Sequence, residues 1–236
     1  RRYIDRIGYD NSFTIYDTDD QKSVMKDICK RLQIDTKNLK EKTILGYISS
    51  AKNEMVSPEK YTKLNQGDYH MSKVAQAYVE YQDTLKKNNA LDFDDLLVLA
   101  VQLFRECPDV LEYYQERFKY IMVDEYQDTN TVQFEFIRQL AMKNKNLCVV
   151  GDDDQSIYKF RNADVSVFNR LTQENRQIFM NYNYRSAPEL IKAFNEFFKN
   201  ENGIFLSQNE ASSSDFEAYY SKDAEKNGIF YFRRFE

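Results

Sequence analysis

Asp124 and Glu125 are adjacent acids that end the apolar run Tyr120-Ile121-Met122-Val123, and the polar stretch Tyr126-Gln127-Asp128-Thr129-Asn130 follows them. A run of that length and β-leaning composition predicts a buried strand with the acids at its C-terminal end. In an open parallel sheet that end is where ligands bind. Asp124 can hold Mg²⁺ there, directly or through water, and Glu125 can orient and deprotonate a water that attacks a phosphoryl group. Taken alone, an apolar run followed by two acids is more often only the end of a strand.

Two further stretches change that balance. Leu147-Cys148-Val149-Val150 runs into Gly151 and then into Asp152-Asp153-Asp154-Gln155-Ser156-Ile157-Tyr158-Lys159-Phe160-Arg161, where polar and aromatic side chains alternate. Ile178-Phe179-Met180-Asn181-Tyr182 is again strand-like and leads to Asn183-Tyr184-Arg185-Ser186. Three strand-like runs that each end in groups able to meet a phosphate make a pattern.

These stretches resemble motifs of the superfamily 1 DNA helicases of the UvrD, PcrA and Rep type. Asp124-Glu125-Tyr126-Gln127-Asp128-Thr129-Asn130 is similar to their second motif, Gly151-Asp152-Asp153-Asp154-Gln155-Ser156-Ile157-Tyr158 to the third and Asn183-Tyr184-Arg185-Ser186 to the fourth. The resemblance extends to Leu91-Asp92-Phe93-Asp94-Asp95-Leu96 and fades after about Phe198. It implies ATP and Mg²⁺ as cofactors, with Asp124 at the metal and Glu125 as general base. It implies that Gln155 reaches the γ-phosphate or the attacking water, and that Arg185 stabilises transition-state charge from a second RecA-like domain. By the same resemblance Tyr184 stacks on adenine, and Arg161 ties the DNA-contacting loop to the nucleotide. Tyr158 and Phe160 would stack on bases of single-stranded DNA, which needs no particular sequence because every base has a π-face. The family usually has tryptophan at the position of Phe160 and glycine at that of Asn162; burial of Phe160 in a core is the alternative reading.

The elements that must position these groups are legible in part. Thr18-Asp19-Asp20-Gln21 reads as a capping box ahead of Val24, Ile28 and Leu32 at helical spacing. Ile44, Leu45 and Ile48 suggest a second helix, Ser57-Pro58 opens a short third, and Val74, Tyr78, Tyr81 and Leu85 stripe a longer fourth that His70 precedes. Asp92 can cap an apolar helix over 96–104, Pro108 starts another, and Asn130 opens a helix whose Val132, Phe136 and Leu140 face a core. Strand, helix and strand in that order predict a parallel βαβ unit. Ser186-Ala187-Pro188-Glu189 reads as a further capping box, and 228–232 as a last strand-like segment. The expected fold is α/β: a partial RecA-like parallel sheet with flanking helices plus an N-terminal all-helical subdomain. Its expected parts are 1–89, the helical accessory subdomain; 90–175, the C-terminal half of the first RecA-like domain; and 176–236, the start of the second.

Composition narrows the function classes. Residues 1–88 carry 16 Lys/Arg against 13 Asp/Glu, while 89–236 carry 17 against 25, so the mild basic bias falls on the helical part. Cys29, Cys107 and Cys148 are far apart and odd in number, which fits reduced core residues of a cytoplasmic protein rather than disulfides or a metal site. His70 has no partner at a ligand spacing, and no apolar run approaches the length of a membrane span. None of the six glycines has another five positions on, so the chain holds no P-loop. The reading is an internal fragment of an ATP-dependent DNA helicase that moves on single-stranded DNA, 3′ to 5′ by resemblance, and unwinds duplex at single-strand/double-strand junctions, the fragment alone being inactive. Two alternatives stand beside it: the helicase subunit of a helicase-nuclease, and a non-hydrolysing module that binds DNA or a protein.

Overall fold

The structure, a computed structural model, describes residues 1–151 together with Ile178, Tyr182–Asn183, Ala187, Leu190 and Glu217–Ala218. The chain divides into two units, Arg1–Asn175 with Phe232–Glu236, and Arg176–Tyr231.

Side-chain caps set where the helices of the first unit begin. Helix α1 (Thr18–Arg31) is capped by Asp17, whose carboxylate accepts from the amides of Asp19 and Asp20, so the capping residue is one position before the expected Thr18. An Asp presents a stronger acceptor than a Thr to the exposed amides of a first turn. Helix α2 (Glu41–Asn53) follows, then α3 (Pro58–Leu64) behind the Ser57 cap and α4 (Tyr69–Lys87) behind Asp68. His70 therefore lies inside the first turn of α4 rather than ahead of it. Met25 and Ile28 of α1, Ile44 and Ile48 of α2, and Val74, Tyr81 and Leu85 of α4 close one core. Each aliphatic side chain removed from water there contributes about 1.5–3 kcal/mol.

The N-terminal stretch is not all-helical. Strand β1 (Thr14–Ile15) pairs in parallel with β2 (Ala90–Leu91), joining the start of the chain to the end of α4. Helix α5 (Phe93–Glu106) starts from a reciprocal capping box between Asp92 and Asp95, and α6 (Pro108–Arg117) follows with proline at its first position. Then come β3 (Ile121–Val123), α7 (Thr131–Ala141) and β4 (Leu147–Val149). Strands β3 and β4 are parallel, with Ile121 opposite Leu147 and Val123 opposite Val149, which is the expected βαβ unit. Phe104 of α5, Val110 of α6 and Leu140 of α7 form the core beneath it, with Ile121 packed against them.

Strand β3 departs from expectation in its burial: Ile121 and Val123 are half-buried and Met122 is 48 % exposed. Among the described residues β3 has one paired neighbour, β4, so the composition of a central strand is present without its full cover. The second unit contributes β5 (Tyr182–Asn183) paired in parallel with β6 (Glu217–Ala218). The described strands thus make three two-stranded parallel pairings within a mostly helical chain. The expected capping box at 186–189 and the strand-like segment at 228–232 fall outside the described residues, apart from Ala187.

Candidate functional site

The β3–β4 ladder does not stop at Val123. The Val150 amide donates to the Val123 carbonyl at 2.8 Å, and the Tyr126 amide donates to the Val150 carbonyl at 2.9 Å. Asp124 and Glu125 lie between these two bonds, so the chain loops both acids out of the sheet while the backbone on either side stays anchored to β4. Both side chains are exposed. Glu125 sits in the left-handed region at φ 50° and ψ 41°, a conformation that costs a non-glycine residue about 1 kcal/mol or more. The turn is held from both ends: the Asp124 carboxylate accepts from the Glu125 amide at 3.0 Å, and the Asp128 amide donates to the Glu125 carbonyl at 2.9 Å.

Behind the acids the packing is tight. Tyr126 and Gln127 are each 1 % exposed. The Gln127 amide donates to Glu125 Oε2 at 2.8 Å and so holds one carboxylate oxygen of a side chain that is otherwise exposed. Burial pushes the Tyr126 phenol up to about 12, so it stays neutral. The acids open on a cleft of about 310 Å³, lined by Asp124, Glu125, Asp128 and Thr129 together with Leu97 and Phe136. One buried Asp128 oxygen has no hydrogen-bond partner among the described residues.

The donors around this cleft are hard oxygens, the type Mg²⁺ takes. Among the described residues no three His, Cys, Asp or Glu side chains are grouped to cage a metal. Mg²⁺ is ordinarily bound by one or two carboxylates, with waters and substrate phosphates completing its octahedron, so the exposed Asp124 carboxylate, beside Glu125 at an open cleft, fits that ion.

The wall behind the site is set by α7 and its contacts. Asn130 caps α7 in a reciprocal box with Gln133, and its amide donates to Asn53 Oδ1 of α2 at 2.8 Å. Farther along α7, Glu135 takes a two-pronged bond from Arg138 (2.7 and 2.8 Å) and a third from Arg105 of α5 (2.9 Å). The Arg138 guanidinium, with Gln139 and Arg105, holds the Glu135 carboxyl down at about 2, well below the usual 4.5. At the N-terminal end of α5, Lys52 is 2 % exposed and reaches Asp92 at 2.6 Å and Asp95 at 2.8 Å. Tyr81 donates to Asp92 at 3.2 Å and Gln82 to Asp95 at 3.0 Å. Burial pushes the Asp95 carboxyl up, and Lys52 opposes that shift.

Of the site residues expected from sequence, Asp124 and Glu125 are placed side by side at the cleft mouth. Gln155, Tyr158, Phe160, Arg161, Tyr184 and Arg185 lie outside the described residues. Sequence pattern marks Asn130 as a helix start and Asp92 as a cap, and it assigns no site role to Gln127, Asn130, Gln133 or Lys52. A signal existed for Lys52, which falls four residues after Ile48 and eight after Ile44, a charge on an apolar helical stripe. Cys29, Cys107 and Cys148 are all buried thiols, and no helix among the described residues is long and apolar enough to cross a membrane.

Comparison with known proteins adds a second line. Residues 1–176 match the UvrD/REP helicase N-terminal domain. Over 203 residues, 85 % of this chain, it is 48 % identical to the ATP-dependent DNA helicase PcrA of Bacillus subtilis. It is 49 % identical over the same share to PcrA of Staphylococcus aureus strain Mu50, and 48 % identical over 202 residues to that of Staphylococcus epidermidis. The match spans 27–28 % of the length of these relatives.

Proposed function

The chain belongs to the UvrD/REP helicase family, and we propose from that premise that it is the part of an ATP-dependent DNA helicase that carries the hydrolytic acids. The observation that carries this reading is the looping-out of Asp124 and Glu125 between two bonds to Val150, with Gln127 holding one Glu125 oxygen. In the proposed chemistry Glu125 aligns a water with its other carboxylate oxygen and accepts the proton as the water attacks the γ-phosphate of ATP. Asp124 holds Mg²⁺, which neutralises charge on the phosphates when bound. Gln155 reads the γ-phosphate or the water, Arg185 stabilises the charge that develops, Tyr184 stacks on adenine, and Arg161 links the nucleotide to the loop bearing Tyr158 and Phe160. Those two aromatics stack on single-stranded DNA, each stack contributing about 1–3 kcal/mol.

In this reading residues 1–89 are the helical accessory subdomain, 90–175 belong to the first RecA-like domain and 176–236 open the second. Hydrolysis of ATP drives translocation on single-stranded DNA, 3′ to 5′, and unwinding at junctions. The 236 residues contain no P-loop, so the phosphates lack their backbone cradle and the lysine that meets them. The test is to measure ATP hydrolysis by the full-length protein with and without single-stranded DNA, beside residues 1–236 alone. Stimulated turnover in the first and none above blank in the second is the expected result. Turnover by 1–236 alone, or a full-length protein indifferent to DNA, contradicts it.

A further inference from the structure

The last turn of α2 sends two polar side chains to different destinations. Lys52 enters the core and binds Asp92 and Asp95 at the start of α5. Asn53, beside it, crosses to α7, where its Oδ1 accepts from Asn130 Nδ2 at 2.8 Å, a link between residues 77 apart in the chain. Asn53 is itself held: its Nδ2 donates to the Ser49 carbonyl at 2.9 Å and to Asp94 Oδ1 at 3.4 Å.

Capping α7 needs only an oxygen at Asn130, and Asp, Ser or Thr would supply one. Asn130 Oδ1 does accept from the Gln133 amide at 3.0 Å, and the Asn130 backbone amide donates to Gln133 Oε1 at 3.1 Å. The donor end of the Asn130 side chain is surplus to the cap, and it is spent on α2. Because both ends of that amide are engaged, it cannot turn without breaking the bond to Asn53 or the bond to Gln133. Gln133, clamped by this arrangement, lines the same cleft as Asp124 and Glu125. An unbroken series of side chains therefore runs from the α2 end, through Asn53, Asn130 and Gln133, to the wall of the cleft. The α2 end is a fixed anchor for it because the Lys52 cluster is buried.

We propose that Asn53 is a positioning residue for hydrolysis: it orients Asn130, and through Asn130 it holds Gln133 and the start of α7 in register with the turn that carries Glu125. The inference rests on the reading of Glu125 as general base.

The experiment uses the full-length protein and compares Asn53→Ala, Asn130→Asp, the double variant and Glu125→Gln. Asn130→Asp keeps the capping oxygen and removes the donor; Asn53 could answer it only by turning its own amide away from the Ser49 carbonyl. Loss of one interhelical hydrogen bond should lower kcat for DNA-stimulated hydrolysis about three- to tenfold. KM for ATP should stay within about twofold, since no phosphate contact changes. The double variant should be no slower than the slower single, because both remove one link. Unfolding midpoints are recorded alongside, and should Asn53→Ala not fold, Asn130→Asp carries the comparison by itself. Parent-like kcat in the folded single variants, or losses that multiply in the double, overturns the proposal. Glu125→Gln separates the two readings: if it hydrolyses ATP like the parent, the hydrolytic reading fails and this inference with it. If Glu125→Gln is inactive while Asn53→Ala and Asn130→Asp match the parent, the inference alone fails.

Discussion

In the helical region Met25, Ile28, Ile44, Val74, Tyr81 and Leu85 are fully buried, and the one lysine among them, Lys52, is paired with two carboxylates. In the strand pair, Met122 is half exposed, Glu125 takes a left-handed backbone, and both acids point to solvent. The first region places its charge where removal of one partner is costly and uses it to lock three helices. The second places its charge where a ligand can reach it, and accepts local strain to do so. Stability and chemistry are thus invested in different stretches of the same unit, and the Asn53–Asn130 bond is a point where they touch.

If this contrast is right, the largest effect on folding comes from the helical side. Lys52→Ala leaves Asp92 and Asp95 buried without their cation and should destabilise the chain by about 3–5 kcal/mol, read from denaturant unfolding. A loss below about 1 kcal/mol, the range of exposed pairs, would mean that the cluster is open to water.

Next come matched truncations across the two regions. Ile44→Ala should cost about 2–5 kcal/mol, as for other buried aliphatic residues, whereas Met122→Ala on β3 should cost under about 1 kcal/mol. Equal losses would erase the distinction drawn between the two regions.

A smaller effect than those at Lys52 and Ile44 is the pH dependence of the α5–α7 contact. Glu135 has a folded value near 2 against an ordinary 4.5, so its stabilisation is complete above 4.5 and is lost as pH falls toward 2. Arg105 and Arg138 are about half exposed, and with that screening the loss should be about 1–2 kcal/mol. Glu135→Gln should flatten this acid limb in unfolding curves taken across the window. An unchanged limb would assign it to other carboxylates.

How much of this could be read beforehand follows from the range of the interactions. The α4 stripe, the Ser57 and Asp92 caps and the order β3–α7–β4 all rest on residues a few positions apart, and periodicity and capping chemistry exposed them. Strand β1 is two residues long and exists because Ala90 and Leu91 pair with it, a partnership no local pattern encodes. Burial of β3 was overestimated for a similar reason, since composition reports what a strand can pack against and not what covers it. The acids of the site were legible as residue types at a strand end. Their looping-out, the grip of Gln127 and the reach of Asn53 depend on contacts between separate elements and on the left-handed turn at Glu125, and required coordinates.

The central claim is that Glu125 accepts the proton of the attacking water while Asp124 serves the metal. Glu125→Gln keeps the side chain's size and its capacity to hold a water but removes the basic carboxylate; Asp124→Asn instead weakens the metal ligand. Nucleotide affinity and DNA-stimulated turnover of both variants should be measured side by side in the full-length protein across a Mg²⁺ titration. Glu125→Gln should bind ATP as the parent does and lose turnover by roughly 10²–10⁴, the usual worth of a general base, while Asp124→Asn should shift the Mg²⁺ dependence itself. A Glu125→Gln protein that hydrolyses ATP within a small factor of the parent would contradict the account.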